Sequence, residues 1–215
     1  MILPSIKGTV GVDYKSARPN LSYSDVAKET DATASAIFSM LKGKHSLTID
    51  GMYSKLHSDN VLRNEPVQVD IDITTEITRI EAHYGYRFFE NKRIFLEAQA
   101  GLRYWNFNMK FDLVRPTTGY VQRYSGSNNW IDPIIGLKVT PRLTDKLSLV
   151  FKADIGGFNV GSRLTSRGRA GLNYSPFSHF VIEGGYEYSY VDYERGGTIY
   201  DITLDGPFIG IGFVF

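Results

Sequence analysis

The chain has 215 residues, a formal net charge of +1 and no cysteine. That balance argues against nucleic-acid binding through bulk charge, and the missing thiols exclude a disulfide scaffold or a thiolate metal site. Mean hydropathy is −0.20, and no stretch approaches the roughly 18 apolar residues of a spanning helix, so a helical membrane protein is excluded as well.

Turn signals and period-2 alternation predict an all-β chain of ten strands: 5–15, 31–42, 44–56, 73–88, 92–111, 129–141, 146–157, 162–175, 178–193 and 199–215. Eight strands is the alternative, if two weak segments near the N-terminus join the loops. Met1-Ile-Leu-Pro-Ser5 has no basic or long apolar segment, so a secreted form implies a signal peptide already removed. Connections alternate between short turns, such as Lys42-Gly43-Lys44 and Glu90-Asn91-Lys92, and longer polar joints at 16–30, 57–72 and 112–128. Short turns on one side and long loops on the other suit an antiparallel up-and-down transmembrane β-barrel forming a single domain over 1–215.

Alternation carries that reading. In segment 92–111, Ile94, Leu96, Ala98, Ala100, Leu102 and Tyr104 share one face, opposite Glu97, Gln99, Gly101 and Arg103. A soluble barrel would put the apolar face inside, and a membrane barrel puts it outside. Aromatics at the strand ends favour the membrane. Phe88, Tyr174, Phe180, Phe213 and Phe215 form a girdle towards the short turns, with Tyr14, Tyr53, Tyr104, Tyr188 and Tyr190 towards the loops. The outward-phase charges Lys55 and Glu76 fall at loop-side ends, where a charge costs little.

The opposite phase collects Lys7, Arg79, Arg103, Lys138, Lys152, Arg163, Arg167 and Arg169 with Asp13, Asp50, Glu81, Glu97, Asp132, Asp154, Glu183 and Glu187. Equal numbers of each sign in a confined lumen imply mutual pairing, because unpaired charges there carry a large desolvation cost. The 162–175/178–193 hairpin sets Arg167 opposite Glu187 or Arg169 opposite Glu183, according to register. The expected ion-pair network is Arg79, Glu81, Glu97, Arg103, Lys152, Asp154, Arg163, Arg167, Arg169, Glu183 and Glu187. It plugs the narrow lumen or, alternatively, lines an anion path.

Chemistry signals are weak. His83 in the lumen phase near Glu97 or Gln99 could act as an oriented base. His57, Asp59, Asp70 and Asp72 could hold a cation in a loop, and Asp192, Glu194, Arg195 and Asp201 flank the last loop. None has a partner set that completes a catalytic or metal site, so no catalytic residue, metal or cofactor is assigned. Gly156-Gly-Phe-Asn-Val-Gly161 reads as a tight reversal and not a phosphate loop, since no Lys-Ser/Thr pair follows.

Gly101-Leu-Arg-Tyr-Trp105, Trp130-Ile-Asp-Pro-Ile-Ile-Gly136, Asp154-Ile-Gly-Gly-Phe-Asn-Val-Gly-Ser162, Gly184-Gly-Tyr186 and Gly206-Pro-Phe-Ile-Gly-Ile-Gly-Phe-Val-Phe215 occur in that order. Together they resemble a family of small bacterial outer-membrane proteins related to the barrel domain of outer membrane protein A. The likeness covers roughly 73–215. It implies a bacterial outer-membrane location and no catalytic residues. The ending, with Ile209, Ile211, Phe213 and Phe215 on one face, resembles the closing strand read by the barrel-assembly machinery. The expected partners are thus that machinery and outer-membrane lipid, with no nucleic acid and no identified external ligand. The expected role is structural or that of a narrow channel. A membrane-embedded enzyme acting on lipid or peptide and a soluble ligand-binding barrel are the alternatives.

Overall fold

The structure, a computed structural model, describes residues 5–12, 15–17, 20–21, 30–64, 67–115 and 120–215, with side-chain surroundings for 5–11, 32–57, 74–110 and 125–215. Tight turns set its hairpins. Gly196 and Gly197, at φ of 61° and 80°, form the two-residue turn whose twist matches the flanking strands. Asn91 Oδ1 accepts the backbone N–H groups of Arg93 and Ile94 at 2.8 and 3.0 Å, closing another turn.

The strands are β1 (Ser5–Val12), β2 (Lys15–Ala17), β3 (Asn20–Leu21), β4 (Thr30–Lys42), β5 (His45–Asn64), β6 (Val67–Glu90), β7 (Ile94–Arg115), β8 (Tyr120–Pro141), β9 (Leu147–Gly156), β10 (Leu164–Phe177), β11 (Phe180–Arg195) and β12 (Thr198–Phe213). β1 and β4 to β12 are ten antiparallel up-and-down strands, and β2 and β3 are short pieces on the second edge of β1. The ladder runs β2-β1-β12 and then down in order to β4. Among the described residues β4 pairs with β5 alone, so the ladder is open between β4 and the β1–β2 edge. The sheet curls until its two ends share a core: Ile6 and Val10 of β1 join Met52 and Leu56 of β5 in one buried cluster.

In two expected loops the described residues, 57–64 with 67–72 and 112–115 with 120–128, are strand. β5 and β6 pair without a shift from His45↔Tyr86 to Asn64↔Val67, and β7 and β8 from Ile94↔Pro141 to Arg115↔Tyr120. The polar sequence of 57–64, 67–72, 112–115 and 120–128 therefore continues the sheet and does not interrupt it. Among the described residues the hairpins at 157–163 and 196–197 stop lower, so β5 to β8 form a tall wall on one side of the mouth. In the 157–163 reversal the left-handed conformation extends past Gly157 to Phe158 and Asn159, at φ of 48° and 61°, and is not confined to the glycines the sequence pointed to.

Phe151, Leu137, Ile135, Ile80, Leu102 and Ile182 are exposed, while Arg79, Glu81, Arg103 and Glu187 are buried. The sheet is thus inside out for water and right for lipid, and a soluble barrel with an apolar interior and polar exterior is not what these strands build. Partway up, the polarity reverses. Along β7 the outward residues change from Ala98, Ala100, Leu102 and Tyr104 to Asn106 and Asn108, and the buried ones from Glu97, Gln99 and Arg103 to Trp105, Phe107 and Met109. β6 changes likewise, from Ile80 outward and Arg79 inward to Thr78 outward and Ile77 inward. Below this level the wall has membrane-barrel polarity; above it, the polarity of a water-soluble barrel.

Candidate functional site

The lumen holds two buried layers. The lower one centres on Arg167 of β10, whose guanidinium donates to Asp50 Oδ2 at 2.6 Å, Glu81 Oε2 at 2.9 Å and Glu187 Oε2 at 2.6 Å. Asp50 and Glu81 lie on β5 and β6, far round the ladder from β10, so these bonds cross the lumen. Arg103 donates to Glu81 at 2.8 Å, to Asp154 at 2.5 Å and to the Thr165 hydroxyl at 3.0 Å. Arg79 donates to Glu187 at 2.9 Å and to Ser189 at 3.0 Å. Lys152 Nζ lies 3.5 Å from Glu81 and donates to His83 Nε2 at 3.1 Å. Such forked, charge-assisted bonds offset the desolvation of groups this deeply buried, and all but Lys152 come from Arg, whose planar donors suit carboxylates.

Glycines make room for the Glu97 side chain and for close approach of the β6 and β7 backbones. A Cβ on Gly85 would lie 2.5 Å from Glu97 Oε1, and one on Gly101 would lie 2.1 Å from the Ala82 carbonyl oxygen. Small residues in the lumen phase are therefore part of how the lumen fills.

The upper layer is aromatic. Trp105, Phe107, Trp130, Tyr193 and Tyr200 are buried together with Ile77, Leu56, Val191 and Ile202. Trp130 stacks on Tyr193 at 4.0 Å between centroids, and Phe107 on Tyr200 at 4.8 Å. Trp130 Nε1 donates to Asp132 at 3.0 Å. The same carboxylate takes the Ser162 N–H at 2.6 Å and hydroxyl at 2.9 Å, pinning the 157–163 reversal to β8. Asn128 donates to the Tyr200 hydroxyl at 3.3 Å.

Of the expected lumen residues, the structure brings Arg79, Glu81, Arg103, Lys152, Asp154, Arg167, Arg169, Glu183 and Glu187 into one network with Asp50. Arg163 is a correction. It precedes β10, is more than half exposed and pairs with Glu194 at 2.7 Å and Asp192 at 3.5 Å at the rim. The strand phase does not reach it, because the reversal ends only at Leu164. Lys7 is also outside, exposed opposite Thr203, and Asp13 lies outside the described residues. Glu97 is buried as expected but accepts from Gln99 Nε2 at 2.7 Å and not from a cation. The β10–β11 register differs from both expected ones: Arg169 faces Glu187 and Arg167 faces Ser189. Arg167 reaches Glu187, and Arg169 reaches Glu183 at 2.9 Å, diagonally across the pair.

The expected girdle residues Phe88, Tyr174, Phe213, Phe215 and Tyr188 are exposed, Tyr104 and Tyr190 are half-buried, and Phe180 packs edge-on to Phe213 at 5.7 Å. Tyr14 lies outside the described residues. The aromatic layer inside the mouth was missed by sequence reasoning. Its signal is the phase flip after Tyr104, where bulky apolar residues move to the side that had carried charge.

His83 faces Gly101 across the β6–β7 pair, beneath both layers. His57 bonds Thr74 at 3.2 Å in a strand, and Asp59 faces Asp72 there. Among the described residues no cluster of three or more His, Asp or Glu is placed to hold a metal ion.

The sequence matches no protein-family model and no curated protein. By shape, the chain is similar to the translocator domain of the autotransporter NalP from Neisseria meningitidis, with a TM-score of 0.55 and 15% identity over 85% of this chain. It spans 66% of that domain's length. It is also similar to the outer membrane protease OmpT from Escherichia coli, with a TM-score of 0.56 and 9% identity, covering 99% of this chain and 95% of that one. The chain therefore has the fold of a bacterial outer-membrane β-barrel.

Proposed function

We propose that this protein is an integral outer-membrane barrel with a shut lumen and a structural, non-enzymatic role. The observation that carries this is the reach of Arg167 across the lumen to Asp50, Glu81 and Glu187, beneath a second seal of stacked rings. A solute would have to part both layers, and each resists for its own reason: separating buried ion pairs, and opening a packed core. A non-enzymatic role is supported by the engagement of His83 and of the rim carboxylates Asp192 and Glu194. His83 is tied to Lys152 under the seal, and the rim carboxylates Asp192 and Glu194 are paired with Arg163. The ordered sequence stretches over 73–215 support kinship with the barrel domain of outer membrane protein A, and the exposed face of Ile209, Ile211 and Phe213 supports recognition by the assembly machinery.

Planar-bilayer recording tests the reading. The wild type passes no steady current, and stepwise conductance appears only when both layers are breached, in Arg167→Ala/Arg169→Ala/Trp130→Ala. Steady ohmic current through the wild type refutes the shut lumen. Turnover of a peptide or phospholipid library by refolded protein refutes the non-enzymatic role.

A further inference from the structure

We infer that the upper edge of β8, Ser125–Asn129, takes an extended strand from a second polypeptide by antiparallel addition. This does not depend on the lumen being shut.

β8 pairs with β7 along its whole length but with β9 only from Ile134↔Gly156 to Val139↔Phe151. The ladder stops for a local reason. Gly157 N–H donates to the Pro133 carbonyl at 3.1 Å, and proline has no N–H to return. That bond also identifies which residues point their backbone to this edge: Pro133 and, two by two above it, Ile131, Asn129, Ser127 and Ser125. Gly161 covers the Ile131 carbonyl, which lies 2.5 Å from where its Cβ would be. From Asn129 upward no described residue bonds the edge. Three N–H and three C=O groups, those of Ser125, Ser127 and Asn129, are left in a straight row.

Exposed edges are ordinarily blunted by charge, proline, a bulge or shortness. This segment, Ser-Gly-Ser-Asn-Asn129, has no charge or proline, its β7 register runs without a shift, and its outward side chains Ser125, Ser127 and Asn129 are small and exposed. Beside this edge the β9–β10 reversal has already turned, at 157–163, which leaves room for an incoming strand, while the 196–197 hairpin meets only the lumen-facing Asn128, through Thr198 and Tyr200. Alternating donors and acceptors at strand spacing are complementary to one chemistry, an extended polypeptide backbone.

A second copy is not that polypeptide. Copies in one membrane are related by rotation about its normal, so their β8 strands run the same way and cannot join antiparallel. The partner is a separate chain on the loop side that offers an extended strand with free backbone N–H and C=O groups.

The probe is a synthetic peptide with the sequence Tyr104–Asp112, the natural antiparallel partner of this part of β8, in which Asn106, Asn108 and Lys110 stand opposite Asn129, Ser127 and Ser125. With refolded protein, hydrogen exchange should slow at least tenfold at the Ser125, Ser127 and Asn129 amides when the peptide is present. Ser127→Pro removes an edge-facing N–H while leaving the β7 ladder intact, and should weaken peptide binding at least tenfold. Its heat-modifiable gel migration should stay that of a folded barrel. The peptide N-methylated at its Asn106, Asn108 and Lys110 positions should also fail to bind. Unchanged exchange, or equal binding by Ser127→Pro or by the methylated peptide, overturns the inference.

Discussion

Arg167→Met is the substitution that weighs the ionic layer most directly. It keeps much of the side-chain volume and removes three charge-assisted bonds. The carboxylates left behind are not equally affected. Glu81 retains Arg103 at 2.8 Å and Arg79 at 3.3 Å, and Glu187 retains Arg79 at 2.9 Å and Arg169 at 3.2 Å. Asp50 keeps only Arg79 at 4.0 Å, at a site where its side chain is almost fully buried. The loss should therefore be close to that of one uncompensated buried charge, about 3–5 kcal/mol. Replacing both partners, in Asp50→Asn/Arg167→Met, should recover roughly 1–3 kcal/mol of it. Urea unfolding of the protein in lipid vesicles, followed by the emission of Trp105 and Trp130, reads both. A single variant within about 0.5 kcal/mol of wild type, or a double variant worse than the sum of the two singles, refutes the view that Arg167 neutralises Asp50 across the lumen.

Both tryptophans sit inside the upper seal, so their emission should be blue-shifted and insensitive to brominated acyl chains, whereas a tryptophan introduced by Ile135→Trp should be quenched. Asp132→Ala strips the acceptor from Trp130 and Ser162 and should cost about 1–3 kcal/mol, with new proteolytic cleavage near Phe158 as the visible sign. Gly101→Ala should abolish heat-modifiable migration, because its Cβ meets backbone, while Gly168→Ala, which has open space around it, should migrate like the wild type.

The lower half of the barrel was legible because strand alternation fixes which phase meets lipid and which meets the lumen. Glu81, Arg103, Asp154 and Arg167 follow from counting by two, and so do Leu102, Phe151 and Ile182. Arg163 escaped that count because a reversal of unusual backbone shape separates it from the phase of β10. The tall hairpins escaped because polar residues in a strand above the membrane read like those of a loop. The aromatic layer was written in the residues after Tyr104, but it becomes recognisable only if the two phases are allowed to exchange roles along one strand.

Periodicity along the chain settles the inside-out wall, since a side chain's face depends only on its place in its own strand. It cannot settle partners. Whether Arg167 lies beside Asp50 depends on stagger and curl summed over many strands, and each hairpin contributes an offset that no local pattern records. The ion-paired middle of this molecule is therefore a property of the assembled sheet, while its greasy outside belongs to each strand alone.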